Sequence, residues 1–437
     1  MTNARSIRDV AEQHLCTGCG TCAFVQPDAV RMVDDLGQGR RPIVVDDVDT
    51  TEALRACPGV ALAHEYDPQQ PGLLRELEAD WGPVLRLWDG YAQDEEIRWA
   101  GSSGGAATAL ALFAIEEQGF HGVLHIAARD DVPWLNKTIL SRDREDLLAA
   151  TGSRYAPASP CDGLDRIAAA PGPCVMIGKP CDVAGAQLAT RLRPALEQRL
   201  QLTIAIFCAG TPSSAGTLEM LERMGIDPQG LERVRYRGEG WPGEASATGR
   251  SADGSTRTAT LSYRESWGEV LNKHRPWRCY VCADHTGEFA DIAVGDPWYR
   301  GVGDGGPGRS LVVARTPRGR RFVEQAIAAG VLICDVVDSG SLPAAQPNLR
   351  RTRGAAFGRS LATRLVGVAA PRQRGMHPGS AWLRHLTWKQ KLQSFLGTWK
   401  RVVTKRLYQR RPVVPFDPSE DAVMHGESSA SRSERES

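Results

Sequence analysis

The sequence predicts a mixed α/β (α+β) domain, preceded by a small cysteine-rich module and followed by a basic helical extension. Helix-like and strand-like segments alternate from residue 88 to about residue 338, as they do in α/β and α+β proteins. Four of the 11 cysteines lie before residue 58, and residues 339–416 contain 16 Lys and Arg but no Asp or Glu. Hydrophobic residues make up 42% of the 437 residues, which allows a sizeable core in two or three domains.

The cysteine-rich module has iron–sulfur spacing. Cys16, Cys19 and Cys22 stand in the run C-T-G-C-G-T-C, and Cys57 precedes a proline. Two-cluster ferredoxins carry the run C-x2-C-x2-C-x3-C-P twice, and the fourth cysteine of each run ligates the cluster of the other run. Gln26 stands in place of that fourth cysteine here, so Cys57 would be the remaining ligand of a second run. The spacing predicts a ferredoxin-like module with one 4Fe–4S cluster, in preference to a zinc site or spare thiols.

The central region is predicted from apolar runs that turn residues separate. Its strands are predicted at 122–128, 174–178, 202–207 and 310–316, and its helices at 106–118 and 319–326. A short strand is also predicted at 40–47, between the cysteine groups of the first module. Segment 66–84, with its three prolines, is predicted to be a linker.

A second set of four cysteines lies in this central region. Cys181 and Cys208 follow apolar strands, and Cys279 and Cys282 form a C-x-x-C pair. A C-x-x-C pair with two remote cysteines fits zinc about as well as an iron–sulfur cluster. The spacing alone therefore leaves the identity of a metal here open.

A glycine-rich segment, G-S-S-G-G at residues 101–105, precedes the predicted helix at 106–118. Backbone amides and the positive end of the helix would face an anion there, and glycines would permit its close approach. No Lys-Ser/Thr pair follows these glycines, so the segment is not a P-loop. A simple glycine-rich helix cap is the alternative.

The motifs of the central region follow one another in a recognisable order. They are G-S-S-G-G-A-A-T-A-L (101–110), T-G-S-R-Y (151–155), I-G-K-P-C-D-V-A-G (177–185), F-C-A-G-T-P-S (207–213) and C-Y-V-C-A-D-H-T-G-E-F-A-D-I-A-V-G-D (279–296). In these motifs the chain resembles the coenzyme F420 hydrogenase/dehydrogenase beta-subunit family, which includes pigment-reducing relatives. The resemblance covers about residues 10–340. It implies an iron–sulfur flavoprotein whose FAD exchanges a hydride with the deazaflavin F420 or a related partner.

The resemblance also implies roles for individual residues. The second 4Fe–4S cluster would be held by Cys181, Cys208, Cys279 and Cys282. FAD would be bound by residues of the glycine-rich segment and of the T-G-S-R-Y motif, namely Ser102, Ser103, Gly104, Gly105, Thr108, Ser153, Arg154 and Tyr155. Lys179 could stabilise a reduced, anionic flavin, and Asp296, with Asp291 nearby, could orient a ring or relay protons. An ordinary solvated lysine and ordinary turn or cap aspartates are the alternatives.

The basic extension contains a predicted amphipathic helix within residues 380–411. Its apolar side is expected to carry residues at helical spacing, namely Trp388, Leu392, Phe395, Trp399 and Val402. This helix could lie on an anionic membrane, dock on a protein partner, or pack on its own domain. Nucleic-acid binding is not favoured, because no base-reading module is present in the sequence.

The expected organisation assigns each region a role. It comprises a ferredoxin-like 4Fe–4S module (1–65), the N-terminal and C-terminal parts of the flavin domain (85–175 and 176–345), the basic extension (346–416) and a disordered tail (417–437). The odd number of cysteines and the polar N-terminus indicate a reducing, cytoplasmic location, with membrane association only at the periphery.

The leading functional hypothesis is an oxidoreductase that passes electrons between reduced F420 or ferredoxin, FAD and two 4Fe–4S clusters, for an unidentified substrate or partner. The alternatives are an electron-transfer adaptor without a substrate pocket and a zinc-stabilised binding protein.

Overall fold

The computed structural model describes residues 4–46, 48–251, 254–301 and 305–418. Strands and helices alternate through the central region, which confirms the predicted mixed α/β class. The expected disordered tail lies outside the described residues, apart from its first two positions.

The first module begins with helix α1 (Ile7–Glu12), where the Ser6 hydroxyl accepts a hydrogen bond from the Asp9 amide. The elements that follow are α2 (Thr21–Val25), β1 (Val30–Asp35), β2 (Gly39–Val44), α3 (Thr51–Arg55) and β3 (Ala61–Ala63). Strands β1 and β2 form an antiparallel hairpin, and β2 covers most of the strand predicted at 40–47. The apolar side chains of this module share one core with Leu164 and Ile167 of the central region.

The prediction of a linker at 66–84 was wrong. Helix α4 (Arg75–Trp81) lies within it, and Leu77 and Trp81 are buried against the central sheet. The three prolines stand on either side of α4, where they interrupt no helical hydrogen bond.

The central region contains two sheets and the helices around them. Its strands are β4 (Arg86–Ala92), β5 (Gly122–Ala128), β6 (Asn136–Ser141), β7 (Cys174–Gly178), β8 (Leu200–Ile206), β9 (Ile226–Arg235), β10 (Ala245–Ser251), β11 (Thr256–Leu261), β12 (Ile292–Gly295), β13 (Ser310–Ala314) and β14 (Leu332–Val336). Its α-helices are α5 (Glu95–Ala100), α6 (Ala106–Glu116), α7 (Arg144–Ala149), α8 (Leu164–Ala168), α9 (Pro180–Thr190), α10 (Pro194–Arg199), α11 (Ser214–Met224), α12 (Trp277–Tyr280), α13 (Pro317–Ala328) and α14 (Ser341–Ala345). Short 3₁₀ or π turns occupy Pro160–Gly163, Arg264–Val270, Leu271–His274 and Trp298–Arg300.

The larger sheet has eight strands in the order β14-β4-β13-β12-β8-β7-β5-β6. Strands β12, β8, β7 and β5 run parallel to one another, and the outer strands pair antiparallel. Helices α6 and α13 cover one face with buried apolar side chains. Because parallel strands end at one edge, the segments after β7, β8 and β12 come together there, as ligand-binding loops do in open α/β sheets.

The smaller sheet, β11-β10-β9, is antiparallel. Its core includes Tyr236, which follows β9, and it packs beside the carboxyl edge of the larger sheet through Tyr155 and Trp267. The segment between β9 and β10 can therefore reach the site described below.

The basic extension contains α15 (Pro347–Leu365), β15 (Arg372–Arg374), α16 (Pro378–His385) and α17 (Trp388–Thr404). Strand β15 pairs parallel with β3 of the first module. After α17 the chain returns to that module, where the amides of Arg411 and Phe416 donate to the carbonyl oxygens of Glu12 and Asp34. The extension thus wraps around the cysteine-rich module. Among the described helices, none has the length and apolar character needed to cross a bilayer.

Candidate redox site

A cavity of about 290 Å³ lies at the carboxyl edge of β7, β8 and β12. Its walls bring together most of the residues predicted for the flavin and for catalysis, namely Ser102, Ser103, Gly105, Thr108, Ser153, Arg154, Tyr155, Lys179 and Asp296. The sequence motifs at 101–110, 151–155 and 177–185 therefore meet in space.

The glycine-rich segment forms the floor of this cavity before α6. The Ser153 amide donates to Ser102 Oγ over 2.6 Å, which ties the segment to the T-G-S-R-Y motif. Gly105 has a φ of +73° and begins α6, so the helix N-terminus opens beside the cavity wall. Gly104 lies behind that wall, because its amide donates to Ser310 Oγ and a Cβ there would meet the Arg309 backbone at 2.8 Å.

Arg154 and Tyr155 form part of the wall, and both already make hydrogen bonds within the protein. Arg154 donates to Asn136 and to the carbonyl oxygen of Pro133, and burial lowers the pKa of its guanidinium. Burial raises the pKa of Tyr155, whose hydroxyl accepts a hydrogen bond from Arg237 at 3.3 Å. These contacts fix both side chains in place at the cavity surface.

Lys179 stands at the N-terminal end of α9 and pairs with Asp182 at 2.7 Å. Burial alone would lower the pKa of Lys179, but the carboxylate of Asp182 and the thiolates of Cys181 and Cys208 raise it above its ordinary value. The ammonium group is therefore charged at neutral pH. It lines both the large cavity and the neighbouring cysteine cavity.

Asp296 follows β12 and accepts two hydrogen bonds from Arg237, at 2.8 and 2.9 Å, and one from Trp241 Nε1 at 2.8 Å. The Arg237 guanidinium lies 5.0 Å from the ring centroid of Tyr263. Arg237 is the main residue of this wall that sequence reasoning missed. Its signal would have been the glycine-rich turn that follows β9, where Gly238 and Gly240 have positive φ.

Asp291, in contrast, lies outside the lining of the large cavity. It is buried and accepts hydrogen bonds from Thr203, Thr316 and Arg318. These bonds join β8, β12 and the start of α13, which is a structural role.

The second cysteine set lines an adjoining cavity, with Cys181, Cys208, Cys279 and Cys282 all in its walls. The Gly210 amide donates to Cys208 Sγ over 3.3 Å. Burial, with a smaller contribution from Cys279, raises the pKa of Cys208 to about 12 and that of Cys282 to about 11. His285 also faces this cavity, and burial lowers its pKa to about 4.

The first cysteine set lines a third cavity, with Cys16, Cys19, Cys22 and Cys57 in its walls. Here the Gly18 amide donates to Cys16 Sγ over 3.3 Å, the counterpart of the bond to Cys208. Burial raises the pKa of Cys57 to about 12, and the Cys19 and Cys16 thiolates add to the rise.

Cys161, which the sequence analysis did not single out, lies beside the first cysteine set. Its thiol donates a hydrogen bond to the carbonyl oxygen of Asp182 over 3.1 Å, and its proximity lowers the pKa of Cys19 to about 6. Its amide also donates to the carbonyl oxygen of Cys19 over 2.9 Å.

Both cysteine sets fit an iron–sulfur cluster. The pKa is raised for six of the eight thiols, and a bound cationic metal would favour their thiolate forms. In the described parts of the chain, no three His, Cys, Asp or Glu side chains converge on a position for a single metal ion. A cubane distributes its thiolates over separate irons, so its four ligands need not meet at one atom. Amide donors to the Cys16 and Cys208 sulfurs suit the same group.

Neighbouring cavities share wall residues. Lys179, Cys208 and Gly210 line both the large cavity and the second cysteine cavity. Cys16 and Thr17 line both the second cysteine cavity and the first. The sites therefore form one row that runs from the sheet edge to the first module.

Two family models match the central region, and both describe the beta subunit of coenzyme F420 hydrogenase/dehydrogenase. The model for the N-terminal part of that protein matches residues 87–164, and the model for its C terminus matches residues 173–339. Together they contain the large cavity's glycine-rich segment and the second cysteine set.

Individual relatives carry related descriptions. The chain is 26% identical to a coenzyme F420 hydrogenase subunit beta of Methanosarcina barkeri, over 57% of this chain and 81% of the relative. It is 22% identical to one of the subunits of the F(420)H(2) dehydrogenase of Methanosarcina mazei, over 73% and 84% of the two chains. It is 23% identical to a coenzyme F420-dependent sulfite reductase of Methanocaldococcus jannaschii, over 72% of this chain and 46% of the relative.

The fold is similar to that of one chain of the F420-reducing [NiFe] hydrogenase complex from Methanosarcina barkeri. The TM-score is 0.51 at 20% identity, over 71% of this chain and 99% of that chain. At this identity the likeness concerns the fold.

Proposed function

Because this chain belongs to the coenzyme F420 hydrogenase/dehydrogenase beta-subunit family and is an oxidoreductase, we propose that it transfers electrons between a hydride carrier, FAD and two 4Fe–4S clusters. The shared walls of neighbouring cavities carry this proposal. Lys179 and Cys208 line both the large cavity and the second cysteine cavity, and Cys16 lines both cysteine cavities, so neighbouring sites are adjacent to the same side chains.

The large cavity would hold FAD. The amides at the start of α6 and the hydroxyls of Ser103 and Thr108 would bind its phosphates, because they present donors beside a helix N-terminus. Lys179 and Arg237 would set positive charge near the ring, and the carboxylates of Asp182 and Asp296 hold those two cations in position. Asp296 acts here as a positioning residue, since its three hydrogen bonds go to Arg237 and Trp241.

The two cysteine sets would hold the clusters. Cys181, Cys208, Cys279 and Cys282 would ligate the one beside the flavin cavity, and Cys16, Cys19, Cys22 and Cys57 the one in the first module. When bound, the flavin would exchange electron pairs as hydride and the clusters would carry single electrons.

Reduced F420 is the proposed hydride carrier, as the names of the relatives suggest, with ferredoxin as the alternative donor. The terminal acceptor is a substrate or a protein partner. The hydrogenase complex that contains the structural relative supports a protein partner, and in that case the chain acts as an adaptor. A zinc-binding protein is less well supported, because convergent ligands for one ion are lacking in the described residues.

Metal and flavin content after anaerobic purification tests this proposal. We expect about eight irons and one FAD per chain, and about four irons in each of Cys57→Ser and Cys279→Ser. Cys334→Ser is the matched control, because Cys334 lies outside both cysteine cavities. Zinc in place of iron, or iron that neither substitution lowers, would contradict the proposal.

A further inference from the structure

Helix α17 presents its large apolar side chains to solvent. Its inward side carries smaller residues, Ser394, Thr398 and Val402, which are at most 6% exposed. Its outward side carries an apolar stripe at helical spacing, with Trp388, Leu392, Leu396, Trp399 and Val403 between 39% and 73% exposed. A helix that only packs on its own domain has the reverse distribution.

Specific contacts fix this orientation. Helix α17 packs against α15 at Gly358, where a Cβ would meet Ser394 Oγ at 2.4 Å. Trp382 Nε1 donates to Ser394 Oγ at 3.0 Å, and Trp399 Nε1 donates to the carbonyl oxygen of Ala362 at 3.1 Å. The close approach needs a glycine on α15 and a small residue on α17. The stripe therefore faces outward because of how the small side packs.

The charge around the stripe indicates which kind of partner it would bind. Exposed Lys389 and Lys400 lie beside it, and residues 339–416 contain no acidic side chain. A second copy of this chain would bring two basic surfaces together, which like-charge repulsion opposes. A stripe of Trp and Leu flanked by lysines matches instead a bilayer surface with anionic headgroups above its acyl boundary.

We propose that the outward stripe of α17 binds the surface of an anionic phospholipid bilayer and thereby holds the protein against a membrane. The helix lies in the interface in this arrangement and does not cross the bilayer. This proposal is independent of the electron-transfer function, because no residue of the stripe lines any of the three cavities.

Sedimentation of the full-length, cofactor-loaded protein with vesicles tests it. We expect binding to vesicles of equal parts phosphatidylglycerol and phosphatidylcholine, little binding to phosphatidylcholine alone, and weaker binding at high salt. Leu392→Glu with Leu396→Glu should reduce the apparent affinity at least about tenfold. Val336→Glu is the matched control, because Val336 is an exposed apolar residue on edge strand β14, and it should bind like the unchanged protein.

Two further measurements make the result decisive. Lys389→Gln with Lys400→Gln changes only exposed side chains and should also weaken binding, so the proposal remains testable if the glutamate pair disturbs folding. Flavin and iron contents should be unchanged in all variants. Absence of binding to anionic vesicles would overturn the proposal. So would equal binding by the Leu392/Leu396 variant, or a dimer of the unchanged protein that this variant dissociates.

Discussion

Arg278 donates a hydrogen bond from Nη2 to the carbonyl oxygen of Pro58 over 3.1 Å, and so joins the loops that carry Cys279 and Cys57. Arg278 is 3% exposed, and its Nε and Nη1 have no hydrogen-bond partner in the described part of the chain. Its positive charge lowers the pKa of Cys16 and of Cys282, although burial is the larger influence on each. A buried cation thus stands between the two cysteine sets.

Replacing Arg278 by Gln should lower the reduction potentials of both clusters. A reduced cluster carries one more negative charge than the oxidised one, so loss of a nearby buried cation destabilises the reduced state. Redox titration followed by electron paramagnetic resonance measures both potentials. Arg278→Lys, which keeps the charge, should show smaller shifts. Unchanged potentials in a fully loaded Gln variant would show that the charge has no influence on the clusters.

Replacing Lys179 by Gln should lower the reduction potential of the flavin. The ammonium group of Lys179 lines the large cavity, where it would favour an anionic reduced ring of the proposed flavin, and its loss also leaves Asp182 without its cation. Photometric titration against a reference dye measures the change. Lys137→Gln removes a surface lysine outside the cavity lining and provides the comparison. Equal flavin potentials in the two variants would exclude this role for Lys179.

We expect the free energy of unfolding to fall in acid, because the carboxylate of Glu288 becomes protonated there. Burial alone would raise its pKa, but Arg353 and His64 lower it from the ordinary 4.5 to about 2. Because the folded-state pKa is the lower one, the carboxylate stabilises the fold fully above pH 4.5, and that contribution disappears as pH falls towards about 2. Its size is about 3 kcal/mol at about 1.4 kcal/mol per pKa unit.

Denaturant unfolding of Glu288→Gln as a function of pH tests this expectation. The variant should be less stable at neutral pH and should lose less stability between pH 4.5 and 2 than the unchanged protein. Glu324→Gln, on the exposed face of α13, is the control. Parallel pH profiles for the two glutamine variants would contradict the assignment.

Ending the chain at Ala345 should weaken the first module and its cluster. The truncation removes β15, the Arg353 partner of Glu288, and Ala369, which packs against Cys16. We expect a lower melting temperature and faster loss of iron, measured by calorimetry and by chelator challenge. A chain ending at Pro418 keeps the described contacts and should behave like the full chain. Because the truncation harms the cluster module itself, it does not separate a reductase from an adaptor.

Local sequence signals predicted the bounds of two central strands correctly. Strands β5 and β7 have the bounds expected from the apolar runs at 122–128 and 174–178. The alternation of strands and helices already implied parallel strands, which end at one edge of a sheet. Cys181 and Cys208 follow such strands, so they meet at that edge. The spacing of Cys16, Cys19 and Cys22 in the first module is also a short-range feature that can be read from the sequence.

Contacts between distant segments were not predictable in the same way. Arg237 and Arg278 acquire their positions from partners 59 and 220 residues away, so short-range patterns do not reveal their contacts. Helical periodicity correctly grouped Trp388, Leu392 and Trp399 on one side of α17, but it wrongly added Val402, which is buried on the inward side. It could not say which side faces the protein, because Gly358 of α15 decides that by close packing.

The pairing of β15 with β3 has a consequence for biosynthesis. The chain leaves the ribosome from its N-terminus, so Arg372–Arg374 is made about 300 residues after Ala61–Ala63, or about 15–60 s later at about 5–20 residues per second. Throughout that interval Cys16 and Cys57 lack the packing that Ala369 later provides. We therefore expect the proposed cluster of the first module to be more accessible on the nascent chain than in the finished protein.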